Sequence, residues 1–209
     1  MTAPRILVLF AHPSQHRSEV NLPLFHLCQS LQGVTAVDLY QEYPTFDIDV
    51  DREQQRLLEH DIIVFLFPLY WYSTPAILKE WQDLVLEYGF AYGHDGSALH
   101  GKTFFCAVSA GGPLEAYSQQ GFNHATLREI LRPLEQTAAL TGMRYLPPFA
   151  LFAARTATQD GRSHQHLQDW QQVLLALQDG SLDLSGADKT ATLNDLMALS
   201  LPLTGEGLV

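Results

Sequence analysis

The sequence predicts an α/β fold: a five-stranded parallel sheet in the order 2-1-3-4-5, with helices on both faces. Three observations point to it. Apolar runs of strand length alternate with segments whose apolar residues recur at helical spacing. The runs are apolar at nearly every position, as strands buried on both faces are. No linker interrupts the alternation before Gly180, which marks one domain over residues 1–179 and a C-terminal extension over 180–209.

The elements follow in order. "RILVLFAH" (5–12) is a buried strand with β-branched residues. After a polar loop, Val20, Leu24, Leu27, Cys28 and Leu31 recur at helical spacing, and Gly33 stops them. "TAVDLY" (35–40) reads as a shorter second strand and "DREQQRLLEH" (51–60) as a polar helix. "DIIVFLFP" (61–68) is the most buried-looking strand. From Pro75, the residues Ile77, Leu78, Trp81, Leu84, Val85 and Tyr88 share one helical face that Gly89 ends. "KTFFCAVSAGG" (102–112) is a fourth strand running into glycines. A helical region over 124–141 contains Pro133, which should kink or restart it. "MRYLPPFALFA" (143–153) is a fifth strand, irregular at its prolines, and Leu167, Trp170, Leu174 and Leu177 mark a last helix. With right-handed crossovers, the common order for this count is the flavodoxin-like one. Its ligand lies beyond the carboxyl ends of the strands, where the winding reverses.

Composition narrows the function. The chain has 209 residues, 46% hydrophobic, enough for a sizeable core. A formal net charge of -11 with no Lys/Arg cluster argues against nucleic acid and bare anionic lipid as partners. No apolar run reaches the roughly eighteen residues of a membrane helix. "MTAPRILVLFAHP" reads as a strand rather than a signal peptide. Cys28 and Cys106 both sit in apolar patterns, which favours buried free thiols over a disulfide and predicts a reducing, cytoplasmic setting.

The flavodoxin-like order places the ligand chemistry on the loops after strands one, three and four, and those three loops are unusual. The first, "AHPSQHRSEVN" (11–21), leads with Ser18 to a helix start, where open N–H groups suit a phosphate. It matches neither a nucleotide P-loop nor the Rossmann glycine fingerprint. The second, "LFPLYWYSTPAILKEW" (66–81), crowds Tyr70, Trp71 and Tyr72 at a strand mouth, as a wide, flat ligand would require. The third, "SAGGPLEAY" (109–117), lets backbone N–H groups approach a ligand. Taken alone, each has a plain reading: capping, packing under a loop or at a subunit interface, a simple turn. Taken together at one end of the sheet, they describe a flavin pocket.

At these residues the chain resembles the flavodoxin-like NAD(P)H:quinone oxidoreductases of the DT-diaphorase and modulator-of-drug-activity kind. The strongest likeness is to the ancillary oxidoreductases of bacterial glutathione-gated potassium-efflux systems. "FAHPSQHRSEVN", "YPTFDID", "FPLYWYSTPAILKEWQDLVLEYGFAYG", "ALHGK", "SAGG" and "LPPFAL" carry the resemblance over residues 5–178. It implies a homodimer with a flavin in each of two interface sites, FMN in the bacterial ancillary proteins and FAD in some relatives. NADH or NADPH would be the co-substrate and a quinone-like molecule the acceptor.

By position, His12, Ser18, Glu19, Val20 and Asn21 would hold the phosphate side. Leu69, Tyr70, Trp71 and Tyr72 would line one edge of the isoalloxazine, and Ser109, Ala110, Gly111 and Gly112 the other. Diaphorase-like relatives follow the double glycine with a Tyr and a His that assist hydride transfer. Tyr117 matches the first; Asn123 stands at the His position with His124 beside it, so the charge-stabilising role has no certain owner. Three functions remain open: a two-electron NAD(P)H:quinone oxidoreductase, a regulatory subunit for a potassium-efflux antiporter with little catalytic role, and a flavodoxin-type electron carrier. A place at the inner membrane would come only through the antiporter.

Other features are discounted. His164 and His166 stand two apart on a helix and point to different faces, and His12 and His16 lack companion ligands, so no metal is expected. "DIDVD" (47–51) starts like a calcium loop but has Arg52 and Leu58 where Gly and Glu are needed. No G-x-S-x-G elbow supports a serine hydrolase. In the extension, Leu193, Leu196 and Met197 suggest one amphipathic helix. Packing on the chain's own surface, partial disorder, or an arm to a dimer mate or membrane partner are the readings left open.

Overall fold

A computed structural model of the chain describes residues 3–200; the end of the extension, 201–209, lies outside the described residues. The strands are β1 (Ile6–Phe10), β2 (Val34–Asp38), β3 (Ile62–Pro68), β4 (Thr103–Ser109), β5 (Arg144–Tyr145) and β6 (Phe149–Leu151). They form one sheet in the order β2-β1-β3-β4-β5, with β6 also on β4. Every pairing is parallel. The helices are α1 (Asn21–Ser30), α2 (Leu39–Glu42), α3 (Val50–Glu59), α4 (Ala76–Val85), α5 (Leu127–Ile130), α6 (Arg132–Leu140), α7 (Arg162–Asp179) and α8 (Leu193–Ser200). The flavodoxin-like order predicted from sequence is the observed one.

Three boundaries differ from the sequence reading, two of them for identifiable reasons, and the restart expected at Pro133 is present. The fifth strand breaks in two at Pro147 and Pro148, which have no N–H for the ladder. The second strand stops at Asp38, whose carboxylate accepts the N–H groups of Tyr40 (3.1 Å) and Gln41 (3.2 Å) and caps α2. The region around Pro133 splits: Thr126 and Glu129 form a capping box on α5, and Pro133 sits in the first turn of α6. Helix α4 ends at Val85, before Gly89; that glycine, at φ +85°, closes a later turn by donating to the Tyr92 carbonyl at 2.8 Å.

Because successive strand residues face opposite sides, the sheet has two cores. Leu7, Leu9, Ile63, Phe65, Phe67, Phe104 and Val108 pack with Leu57 of α3, with Ile77, Trp81 and Val85 of α4, and with Leu134 of α6. Ile6, Val8, Phe10, Val64, Leu66, Phe105 and Phe149 pack with Leu24 and Phe25 of α1 and with Trp170, Val173 and Leu174 of α7. Leu182, Ala187, Leu193, Leu196 and Met197 of the extension belong to this second core. The Leu193 N–H donates to the Pro148 carbonyl at 2.9 Å, and Asn194 Oδ1 accepts the Ala150 N–H at 2.8 Å. Cys28 and Cys106 are buried free thiols. No helix among the described residues is long and apolar enough to cross a membrane.

Two stability predictions follow from these cores. Leu193 is fully buried, so Leu193→Ala is expected to cost about 2–5 kcal/mol, read as a lower urea midpoint. His166 lies in the second core, stacked on Phe149 at 4.3 Å, and burial pushes its pKa down to about 3. Between that value and the ordinary histidine range the unfolded chain binds the extra proton, so stability falls as pH drops. His166→Leu should flatten the pH dependence relative to the parent by about 2 kcal/mol at pH 5, measured by urea unfolding from pH 8 to pH 5.

Candidate functional site

The loops leaving β1, β3, β4 and β6 surround a cavity of about 1060 Å³ at the carboxyl end of the sheet. That is the crevice expected where the winding reverses.

The loop after β1 supplies one side. The Ala11 N–H donates to the Leu66 carbonyl at 3.0 Å and prolongs the pairing with β3. Buried His12 accepts the Ser14 N–H at Nδ1 (3.1 Å) and meets Tyr70 edge-on at 5.9 Å. Burial holds its pKa below the usual histidine value, which keeps the ring neutral. Gln15 donates to the Asp38 carboxylate at the end of β2 and pins the loop there. Ser18 Oγ accepts the Leu22 N–H at 3.0 Å, stabilising the first turn of α1. Asn21, the first residue of α1, is only 1% exposed and lines the cavity. Neither its Oδ1 nor its Nδ2 has a partner. A buried amide left in that state normally has an unseen partner.

The loop after β3 supplies the aromatic wall. Tyr70 and Ser73 close a tight turn through a 3.1 Å bond from the Ser73 N–H to the Tyr70 carbonyl. Its two central residues, Trp71 (φ +50°) and Tyr72 (φ +61°), are both left-handed, the pairing that a type I′ turn demands. Gly, Asn and Asp usually fill such positions, so two aromatics there hold backbone strain. The strained turn presents both rings outward: Trp71 is 93% and Tyr72 52% exposed.

The loop after β4 supplies the bare edge, held by β6 and its exit. The Ala110 N–H donates to the Leu151 carbonyl (2.8 Å), the Ala154 N–H to the Ala110 carbonyl (3.0 Å), and the Ala153 N–H to the Gly112 carbonyl (2.7 Å). In a trans peptide the C=O and N–H point opposite ways. The Gly111 N–H therefore points away from Ala154, and it has no acceptor among the described residues. Tyr117 stacks obliquely on Phe152 at 5.2 Å with its hydroxyl beside Gly112. Burial raises its pKa, opposed by the Gly112 N–H and reinforced by Tyr72, so the phenol stays protonated near neutrality. Asn123 Oδ1 accepts the Tyr72 hydroxyl at 3.2 Å, linking two walls.

His12, Ser18, Glu19, Val20, Asn21, Leu69, Tyr70, Trp71, Tyr72, Ser109, Gly111, Gly112, Tyr117 and Asn123 all line this cavity. Ala110 does not: it is fully buried and acts through its backbone. His124 does not line it either; it is exposed and left-handed at φ +50°. Sequence reasoning missed several lining residues, among them Arg17, Phe122, Ala154 and Arg155. Arg17 lay inside a motif already singled out. Arg155 carried no signal, because the segment after the last strand reads as a connector. Among the described residues no group of three or more His, Cys, Asp or Glu could hold a metal ion.

A family model described as flavodoxin-like fold matches residues 4–174. The chain belongs to the flavodoxin-like fold family. Within it, the glutathione-regulated potassium-efflux system ancillary protein KefG of Serratia proteamaculans (strain 568) is 47% identical over 152 residues, 73% of this chain and 83% of that protein. General stress protein 14 from Treponema denticola, solved in complex with FMN, matches with a TM-score of 0.78 at 37% identity, covering 84% of this chain and 100% of the other. The NADPH-quinone reductase from P. pentosaceus matches with a TM-score of 0.72 at 36% identity, covering 81% and 96%.

The orphaned amide of this flavodoxin-like chain has a measurable consequence. Asn21→Leu keeps the shape and removes two unsatisfied polar groups. It should raise the stability of the ligand-free protein by about 1–3 kcal/mol, read as a higher urea midpoint with an unchanged slope.

Proposed function

We propose that this chain is an FMN-dependent NAD(P)H:quinone oxidoreductase that turns over by a ping-pong route. The observation that carries the reading is the orphaned Asn21 amide, which opens onto the same cavity as the unpartnered Gly111 N–H and the Tyr70–Tyr72 wall. FMN fits those three features: a phosphate for the helix start, a flat ring for the aromatics, and polar ring edges for the backbone donor. The relatives support it, one through its bound FMN and one as an NADPH-quinone reductase.

Bound there, FMN would supply the two-electron chemistry, taking hydride from NAD(P)H and giving it to a flat electrophile. The chain's own groups bind and orient. Asn21 Nδ2 would donate to the phosphate, and the Ser18 hydroxyl, whose oxygen already accepts the Leu22 N–H, keeps its proton to donate as well. The Gly111 N–H would meet the ring edge that gains charge on reduction. Tyr117, held protonated, would donate to the oxygen of the acceptor. Asn123 can offer its Nδ2–H groups, since Tyr72 occupies its oxygen, but it cannot carry a proton. Proton delivery therefore falls to Tyr117 or solvent.

The same reading makes the protein a homodimer. Trp71 and Phe122, 93% and 85% exposed at the cavity, are apolar surfaces that a second copy would cover. The KefG relatives favour an additional role as ancillary partner of a potassium-efflux antiporter, tested by copurification from membranes.

The deciding experiment is the absorption spectrum of FMN-reconstituted protein. NAD(P)H added without oxygen should bleach the bound flavin, a quinone should restore it, and initial rates should give parallel double-reciprocal lines. Tyr117→Phe should lower turnover about 10- to 100-fold, the worth of one hydrogen bond to a developing charge. Protein that retains no flavin, or intersecting rate patterns, would overturn the proposal.

A further inference from the structure

We infer that Arg155 is the cation that stabilises the negative charge a bound flavin acquires on reduction, acting at the glycine edge of the cavity. This rests on the flavin reading above and assigns to one residue a charge that the expected histidine position, occupied by Asn123, cannot supply.

Position is the first argument. A Cβ placed on Gly111 would lie 3.6 Å from Arg155 Nε, so the guanidinium lies against the backbone edge whose N–H is unpartnered. That placement is built rather than incidental. The Ala153 and Ala154 N–H groups, immediately before Arg155, donate to the Gly112 and Ala110 carbonyls. Arg162 braces the same turn from behind, donating to the Phe152 carbonyl at 2.6 Å and the Ala153 carbonyl at 3.1 Å. The turn carries Ala153 at φ +48°, a left-handed alanine that these bonds hold in place.

Availability is the second argument. All twelve Lys and Arg residues of the chain lie among the described residues, and nine use their side chains in a hydrogen bond or ion pair within it. Arg17, Arg155 and Lys189 do not. In a chain with 23 acidic residues a free guanidinium is unusual, and two of these three line the cavity at the carboxyl end of the sheet. Arg17 stands beside Ser18 and Asn21, on the side read as the phosphate site. Arg155 alone stands on the glycine side. Neutral His12 belongs to the other loop, and His124 does not line the cavity.

Chemistry gives the consequence. Hydride brings two electrons and one proton to a neutral isoalloxazine, which leaves one negative charge on its pyrimidine side. A cation next to that side favours the reduced ring over the oxidised one and raises the two-electron potential.

The experiment compares the FMN-reconstituted parent with Arg155→Leu and Arg155→Lys, measuring the midpoint potential of bound FMN and the Kd of oxidised FMN. The side chain is exposed and unpaired, so both variants should fold. Arg155→Leu should hold oxidised FMN within about twofold of the parent while binding reduced FMN about tenfold more weakly. For a two-electron couple that is a potential about 30 mV lower. Arg155→Lys should recover most of it. An unmoved potential in Arg155→Leu overturns the assignment, as does a raised KM for NAD(P)H at constant potential, which would place Arg155 on the co-substrate's phosphate. A parent that retains no FMN overturns the flavin reading itself and is recognised before either variant is compared.

Discussion

β1 pairs in parallel with β2 on one side and β3 on the other along its whole length, Ile6 to Phe10. Parallel neighbours need crossover connections, and right-handed crossovers to the two sides of β1 must run over opposite faces of the sheet. The loop leaving β1 and the loop leaving β3 therefore part from one another, and a crevice opens between them without any side chain having to be removed. His12 and Tyr70 face each other across its floor at 5.9 Å. The buried strands supply the rigidity that makes the crevice a fixed shape; β1 and β3 are buried at every position.

That rigidity lets the rim depart from ordinary backbone and side-chain preferences. Trp71, Tyr72 and Ala153 are left-handed without being glycine, and Asn21 is buried without a partner. Each departure costs on the order of 1–3 kcal/mol. Left-handed Phe46 and His124 lie off the cavity, but several departures gather at its rim. Here Trp71, Tyr72 and Asn21 line one cavity, and Ala153 braces its edge. A ligand supplying polar partners at Asn21 and a flat face for the rings would offset the first and exploit the second.

The regular part of this arrangement was legible in the residues. Strands buried on both faces announce themselves as unbroken apolar runs, and their alternation with helices leaves few topologies. Thus β1, β3 and β4 were found within three residues at each end, and the loops bearing Ser18, Tyr70 and Gly111 were found with them. Local chemistry that competes with periodicity was only partly legible. Asp38 ends a strand by capping a helix; the irregularity at Pro147 and Pro148 was legible, but not that it cuts the strand into two. Nor do the residues Trp71 and Tyr72 signal a type I′ turn, because their intrinsic preference is against it. Arg155 reaches the site only because β6 pairs with β4 some 40 residues earlier, a relation that no local window contains.

β6 also shows why the extension cannot be separated from the site. Three residues make a weak strand, and only one edge of it is laddered, to β4. On the extension's side, Asn194 Oδ1 takes the Ala150 N–H and the Pro148 carbonyl takes the Leu193 N–H, while Leu193 and Leu196 fill the core beneath. Asn194 is itself placed by α8, whose start is fixed by Thr192 and Asp195 bonding reciprocally. The chain then runs from β6 straight into Ala153 and Ala154, whose amides hold Gly112 and Ala110. The match to the flavodoxin-like family ends at residue 174, yet the position of its glycine edge in this chain is secured in part by residues 192–197. Loosening α8 would free the far side of β6 first, and the unpartnered Gly111 N–H would lose its fixed direction before the central strands felt any change.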